Sequence, residues 1–441
     1  MKSRITRRKF LKSTAAGSAV AAGGMAGILA QGRAPALAQA TTVHWLRWND
    51  FVPACDAAIR EKILPEAEKA LGIKVNFERV NGNDLQPRIT SAIQSGAGPD
   101  IVMLFNNHPH LYQASLVDLS DIAEEIGKAQ GGYYPMAKGN SHNGSNWISM
   151  PCNIVGGMNA YRTSLWKDVG MPAGPKTWDE YRAAGKTLKA KGFPVGQSLG
   201  QSFGDPVVFS YPFLWSFGGR EVDEQGKVVL NSKETIEAVK YMTAFWKDSM
   251  DEGGLAWDDS SNNRAFLSGT LSATLNGASI YIEALRKPEQ YKTDRGTPLK
   301  DDIFHGPLPA GPKGQFAMHT YQSHVIPNYS KNQKAAKELL KFFQSAANYQ
   351  KWFDVGLGFH SGTTLDWEKS DLWAKDKIME PYKVAGRLGQ NPGYSGAPNA
   401  KAAEVLSKYL IGNMFAGAIK GQKAEDAVAA CHAELVKIYG A

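Results

Sequence analysis

"IKVNFERVNGNDLQPRITSAIQSGAGPDIVMLF", from Ile73 to Phe105, contains a strand, a helix and a second strand in direct succession. "IKVNFERV" reads as a strand, and "DLQPRITSAIQSGAG" reads as a helix stopped by glycine. "DIVMLF" is a continuous apolar run suited to burial on both faces. Working outward, "TTVHWLRW" alternates apolar and polar residues as a strand does, and "CDAAIREKILPEAEKALG" is amphipathic and ended by Gly72. Strand, helix, strand, helix, strand is the order of a parallel sheet covered by helices.

The same order is expected again further on. "PVGQS" is expected as a strand before the helical "PVVFSYPFLWSFGG". The helices "TIEAVKYMTAFWKDSM" and "NNRAFLSG" precede the strand "LSATLNG". The C-terminal third is helix-rich, and Pro and Gly crowd at "HGPLPAGPKG", His305 to Gly314, a candidate crossing between halves. Roughly 400 residues exceed what one hydrophobic core usually serves, so two lobes are expected.

The N-terminus carries its own chemistry. Seven basic residues (Lys2, Arg4, Arg7, Arg8, Lys9, Lys12, Arg33) and no acidic one fall within residues 1–39. "TRRKFLK", then a Gly/Ala-rich run, then "APALAQA" is the layout of a secretory signal, expected to be cut after Ala38 or Ala40. The Arg7-Arg8 pair resembles a twin-arginine (Tat) signal, which typically exports folded proteins. The run lacks the ~20 strongly apolar residues of a membrane anchor, and no Cys lies near the cut for a lipid anchor. The whole chain is +8, so removing seven basic residues leaves 43 basic against 42 acidic residues. A nearly neutral body has no electrostatic footprint for nucleic acid. Cys55, Cys152 and Cys431 lack C-x-x-C spacing, and the sequence does not decide whether any two of them pair. They are expected as small packed residues.

"GPKTWDEYRAAGKTL", Gly174 to Leu188, opens a helix with a capping box: Thr177 caps the amide of Glu180, and Glu180 reaches back. It belongs to a wider set of motifs in fixed order: "SAIQSGAGPDIVML", "LVDLSDI", "MNAYRTSLWKDVGMPAGPKTWDEYRAAGKTL", "AFLSGTLSATLNG", "GPLPAGPKG" and "SKNQKAAKELLKFFQS". In these motifs the chain resembles the family 1 extracellular solute-binding proteins of ABC importers, the sugar-binding group that includes maltose-binding proteins. The resemblance covers residues 41 to 441. Arg162 and Leu275 depart from it, standing where Asn and Met are usual.

The resemblance implies an α/β, two-lobe periplasmic binding protein type II fold with hinge crossings. The expected division is a signal over 1–40, lobe I over 41–155 plus 307–360, and lobe II over 156–306 plus 361–441. It implies an exported, periplasmic, monomeric, non-catalytic protein that closes on a carbohydrate (a sugar, oligosaccharide or polyol) and delivers it to membrane permease subunits, with no cofactor and no metal. Glycerol phosphate or another non-sugar solute is the alternative, and a secreted carbohydrate-active hydrolase a distant one.

Sugars stack C–H faces on aromatic rings and pair hydroxyls with amides or carboxylates. In open α/β sheets such groups lie past the carboxyl ends of strands. That rule selects Trp48, Asn49 and Asp50, then Asn81, then Asn106, Asn107 and His108, and Asn153 after "WISMPC". It adds Gln201 and Asp205 after "PVGQS", Asn276 after "LSATL", and Tyr321 and Gln322 before "SHVIP". Glycine-flanked loops add Phe359 with His360, and Tyr394. Polar residues at such places also serve as turn formers and caps. Trp178 is not expected as a ligand contact, and Trp215 and Trp246 are expected in the core.

Two decoys are set aside. "GQSLGQSFG" offers G-x-S-x-G at Ser198 and Ser202, but glycines and Asp205-Pro206, read as N-cap and N1, separate both serines from the next helix. "HPH", His108 to His110, has a rigid Pro between its imidazoles and no paired His or Glu motif nearby.

Overall fold

The computed structural model describes residues 41–440; the leader and its cleavage sites lie outside the described residues. Five strands build the first sheet: β1 (Thr42–Trp48), β2 (Lys74–Val80), β3 (Ile101–Phe105), β4 (Met150–Val155) and β8 (Thr320–Val325), in the order β2-β1-β3-β8-β4. The second sheet is β5 (Met158–Arg162) between β6 (Ala273–Asn276) and β7 (Ile303–Gly306). The opening unit forms as read: β1 pairs in parallel with β2 and with β3. All five residues of β3 are buried, so its unbroken apolar run has no solvent face to alternate against.

The first sheet is mixed and the second wholly antiparallel, where a parallel sheet was expected. β8 runs antiparallel to both β3 and β4, and β5 is antiparallel to both neighbours. "PVGQS" forms no strand: Val195 makes single bridges to Met250 and Ala273. Just beyond it the Gln197 side chain donates to the Ser198 carbonyl and accepts from the Leu275 amide, taking the place of ladder bonds. Asn153, Tyr321 and Gln322 lie inside β4 and β8 instead of beside them.

Eight helices matter for the site: α1 (Pro53–Ala58), α2 (Gly82–Ser95), α3 (Trp178–Ala190), α4 (Asp205–Phe217), α5 (Lys233–Ser249), α6 (Ser279–Arg286), α7 (Gln333–Gln344) and α8 (Ala346–Val355). Both bonds of the capping box at Thr177 and Glu180 are present. Trp178 is buried and donates to Ser216 Oγ, and Trp215 and Trp246 are core residues. One core fills the space around the first sheet and continues into Ala278, Ile280 and Ile282, beside the second sheet. The other gathers the aromatic faces of α3, α4 and α5. The chain passes from the first sheet to the second at Gly156-Gly157, and returns between Gly306 and Thr320. A Cβ on Gly157 would stand 2.3 Å from Val208, so the first crossing tolerates no side chain there.

Arg162, the departure noted above, is architectural. Its fully buried guanidinium donates to Asp302 (3.0 Å), to Asp294 and to the Gly269 carbonyl. Asp302 also accepts from the Ser164 amide and hydroxyl. A buried charge tied to two carboxylates and a carbonyl anchors the end of β5.

Candidate functional site

The carboxyl ends of β1 and β2 meet segment 202–205 and loop 258–260 around a chamber of about 140 Å³. Trp48, Asn49, Asp50 and Phe51 form one wall, and Asn81, Gly82 and Asn83 the next. Ser202, Phe203, Asp258, Asp259 and Ser260 face them. A smaller adjoining space shares Trp48, Phe51, Phe203 and Asp259, and adds Asp205, Asn276 and Phe359. Among the described residues no Lys or Arg lines either space.

Rings build the apolar part. Phe203 stacks on Phe105 at 4.1 Å between centroids, and Trp48 meets both edge-on at 5.7 Å. Phe203 reaches this position because Gly82 has no side chain: a Cβ there would sit 2.2 Å from the ring. Asn83 fixes the segment that carries it, accepting from the Phe203 amide at 3.1 Å and donating to Ser202 Oγ at 3.4 Å. Asn81 caps α2 by accepting from the Asn83 amide.

Asp259 organises the opposite wall. Its carboxylate accepts from Ser202 Oγ and from the amides of Gly204 and Asp205, at the N-terminus of α4. The N-cap there is Gly204, and Asp205 is the first helical residue, contrary to the expectation of an Asp205 cap. The Asp205 carboxylate is instead turned to Asn262, which donates at 2.6 Å. Burial pushes Asp259 up to about 6, and burial together with the Asp259 charge pushes Asp205 well above the usual carboxylate range. Neither carboxylate has a basic partner within 4 Å among the described residues.

Raised folded-state values mean that both groups favour folding below the unfolded pKa near 4; the Asp259 contribution is lost as pH rises through about 6, and that of Asp205 is lost as pH rises through its own raised value. Asp205→Asn removes the repulsion and keeps an acceptor for Asn262. It should flatten the decline in stability with rising pH, so that the unfolding free energy at pH 8 is higher than in the wild type and nearer its value at pH 5. Urea unfolding at the two pH values measures it.

The other expected residues fall into three groups. Trp48, Asn49, Asp50, Asn81, Asp205, Asn276 and Phe359 line the two spaces. Asn106, Asn107, His108, Asn153, Tyr321 and Gln322 lie buried nearby. Asn106 clamps β8 by accepting from the Tyr321 amide, and Tyr321 shares a hydrogen bond with Ser141. Both side-chain polar atoms of Asn107, Asn153 and Gln322 lack partners among the described residues. Burial lowers His108 to about 4, so its imidazole is neutral. His360 is buried against Asp50, Nε2 to Oδ2 at 2.9 Å. Gln201 and Tyr394 are not brought to the chamber: Gln201 donates to Asn413, and Tyr394 packs on Trp215 and Arg220.

Phe203, Asp258 and Asp259 escaped the strand-end rule because their loops follow no strand, and Phe51, in the loop after β1, was passed over beside Asn49 and Asp50. An isolated Phe between Ser and Gly, and the Asp-Asp-Ser-Ser run before helix Ser261–Leu267, were the available signals. The two esterase-like serines are engaged as donors, Ser198 to the Asp258 carbonyl and Ser202 to Asp259.

The sequence profile of the family described as bacterial extracellular solute-binding protein matches residues 52–350. The chain belongs to this family. A probable ABC transporter-binding protein of Deinococcus radiodurans is 26% identical over 262 residues, 57% of this chain. The diacetylchitobiose binding protein DasA of Streptomyces coelicolor is 27% identical over 158 residues, 35% of this chain. The chain spans 60% of the first relative's length and 34% of the second's. Maltose-bound MalE3 of T. maritima superposes with a TM-score of 0.74 at 22% identity, covering 90% of this chain and all of that one. A ribitol complex from Agrobacterium radiobacter K84 gives 0.74 at 18% identity, covering 90% and 98%. The fold is therefore the two-lobe α/β periplasmic binding protein fold, and the chamber lies where the ends of the first sheet face the second half.

Proposed function

We propose that this protein is the substrate-binding component of an ABC importer, that it captures a neutral carbohydrate or polyol between lobes 41–155 plus 307–360 and 156–306 plus 361–441, and that it passes the guest unaltered to permease subunits. The reading extends to a Tat-exported, periplasmic monomer. One observation carries it: a two-walled chamber combines ring faces (Trp48, Phe51, Phe203) with planar acceptors (Asn49, Asn81, Asp258, Asp259) and no cationic side chain. Rings suit sugar C–H faces, and amides and carboxylates suit hydroxyls. A phosphorylated guest would meet the Asp258 and Asp259 carboxylates with no Lys or Arg among the lining residues. The family membership and the sugar- and polyol-bound structural relatives support the class of guest.

The chamber is smaller than the roughly 300–1,000 Å³ of common ligand pockets. Holding a whole sugar between the walls therefore calls for a change in their separation, and hinge rotation at the two crossings supplies that motion. A guest touching both walls shifts the balance toward closure by its differential affinity. A thermal-shift panel of neutral sugars, polyols and sugar phosphates tests the reading. A neutral guest at a hundred times its Kd should add about 2.7 kcal/mol of stability and be recovered intact. Stabilisation by phosphorylated or acidic compounds alone, or release of a cleaved product, would overturn it.

A further inference from the structure

Beneath the guest chamber, three side chains from distant parts of the chain converge with no function assigned above. Asp50 follows β1, Cys55 lies in α1, and His360 lies beyond α8. One ligand atom from each falls within 4.8 Å of the others, and all three residues are buried. Asp50 Oδ2 and His360 Nε2 approach to 2.9 Å, yet neither atom has a hydrogen bond of acceptable geometry among the described residues. His360 Nδ1 is likewise without a partner. Buried polar atoms left unpaired at this density are unusual.

The ring is held in place by its surroundings. His360 stacks on Trp352 at 3.8 Å, and its carbonyl accepts from Tyr349 Oη at 3.1 Å. Gly356 makes room for both the thiol and the imidazole: a Cβ there would lie 3.1 Å from Cys55 Sγ and 3.4 Å from His360 Nδ1. Arg47, fully buried, stands over Trp352 with its guanidinium 3.8 Å from Asp50 Oδ2, and its three nitrogens have no hydrogen-bond partner among the described residues. Asp56, the next nearby carboxylate, is engaged with the Asp50 amide and Arg79.

We propose that Asp50, Cys55 and His360 bind a divalent transition-metal ion of the zinc class, with Arg47 holding an exogenous anionic fourth ligand. Two donors about 2.1 Å from one ion lie roughly 2.9–3.4 Å apart at bond angles of about 90–110°, which matches the oxygen–nitrogen approach seen here. Carboxylate, thiolate and imidazole together select zinc or cobalt over calcium or magnesium. Binding displaces the Cys55 thiol proton to solvent. The divalent ion with one carboxylate and one thiolate is then neutral, and the positive charge of Arg47 is left over. A hydroxide or similar anion in the fourth position balances that charge and accepts from the free guanidinium donors. The site ties the end of β1 to α1 and to the loop after α8, and it adjoins the guest chamber through Asp50, which also stands in the chamber wall.

The full chain, purified without a histidine tag or chelator and dialysed, should retain about one zinc-class ion per molecule by plasma mass spectrometry. Unfolding in guanidinium with chelator and refolding with cobalt(II) should produce a thiolate-to-cobalt charge-transfer band. Cys55→Ser should lose the band, and Cys152→Ser, at a buried cysteine outside the triad, should keep it. No retained metal together with no cobalt band in the wild type would overturn the proposal, as would a band that survives Cys55→Ser. The metal content and cobalt band of the wild type together decide the matter even where a variant fails to fold.

Discussion

Trp48→Ala should weaken guest binding by about a hundredfold, some 2.7 kcal/mol. Trp48 lines both spaces, is 1% exposed, and braces Phe51, Phe105 and Phe203. Removing it deletes a stacking face and loosens three other rings. Truncating a buried aromatic also costs folding stability, about 3–5 kcal/mol, so the two effects must be separated. Trp48→Phe keeps a ring and should recover most of the affinity. Calorimetric titration of the guest selected by the thermal screen measures both variants, and circular dichroism reports their folding. Unchanged affinity in a folded Trp48→Ala protein would remove Trp48 from the site.

Gly82→Ala is the second change with a large expected effect, and its sign follows from two opposed terms. Gly82 is the first residue of α2 with an unstrained backbone, so alanine gains up to about 1 kcal/mol of helix propensity. Its Cβ would lie 2.2 Å from a Phe203 ring already stacked on Phe105. The ring cannot retreat, so overpacking costs about 1–3 kcal/mol. The clash falls between the two walls of the chamber, so it penalises the closed arrangement. Guest affinity should fall roughly tenfold while the thermal midpoint of the guest-free protein changes little. Adding Phe203→Ala to Gly82→Ala should restore part of the loss, and that coupling in a double-mutant cycle distinguishes a Gly82–Phe203 clash from general damage.

Much of this architecture is written in local patterns. The β1-to-β3 unit follows from apolar runs with glycine stops, and the start of α3 from Thr177 and Glu180, because such signals act over a few residues. β8 was harder. Its reversed direction depends on a return from the second sheet across more than a dozen residues, which no short pattern encodes. The chamber divides the same way. Trp48 ends β1, Asn49 and Asn81 follow strands, and all three were reachable by the strand-end rule, whereas Phe203 and Asp259 sit in irregular segments positioned by Asn83 and by the N-terminus of α4. Asn153 and Gln322 face one another across β4 and β8, a pairing visible only once the register is known.

A crystal structure of the complex with the guest selected by the thermal screen is the most direct measurement. Enclosure predicts an intact molecule in density against Trp48 and within hydrogen-bond distance of the 258–259 loop, touching both walls of the chamber. A guest bound elsewhere on the surface, touching one wall only, or present as a reaction product would contradict it.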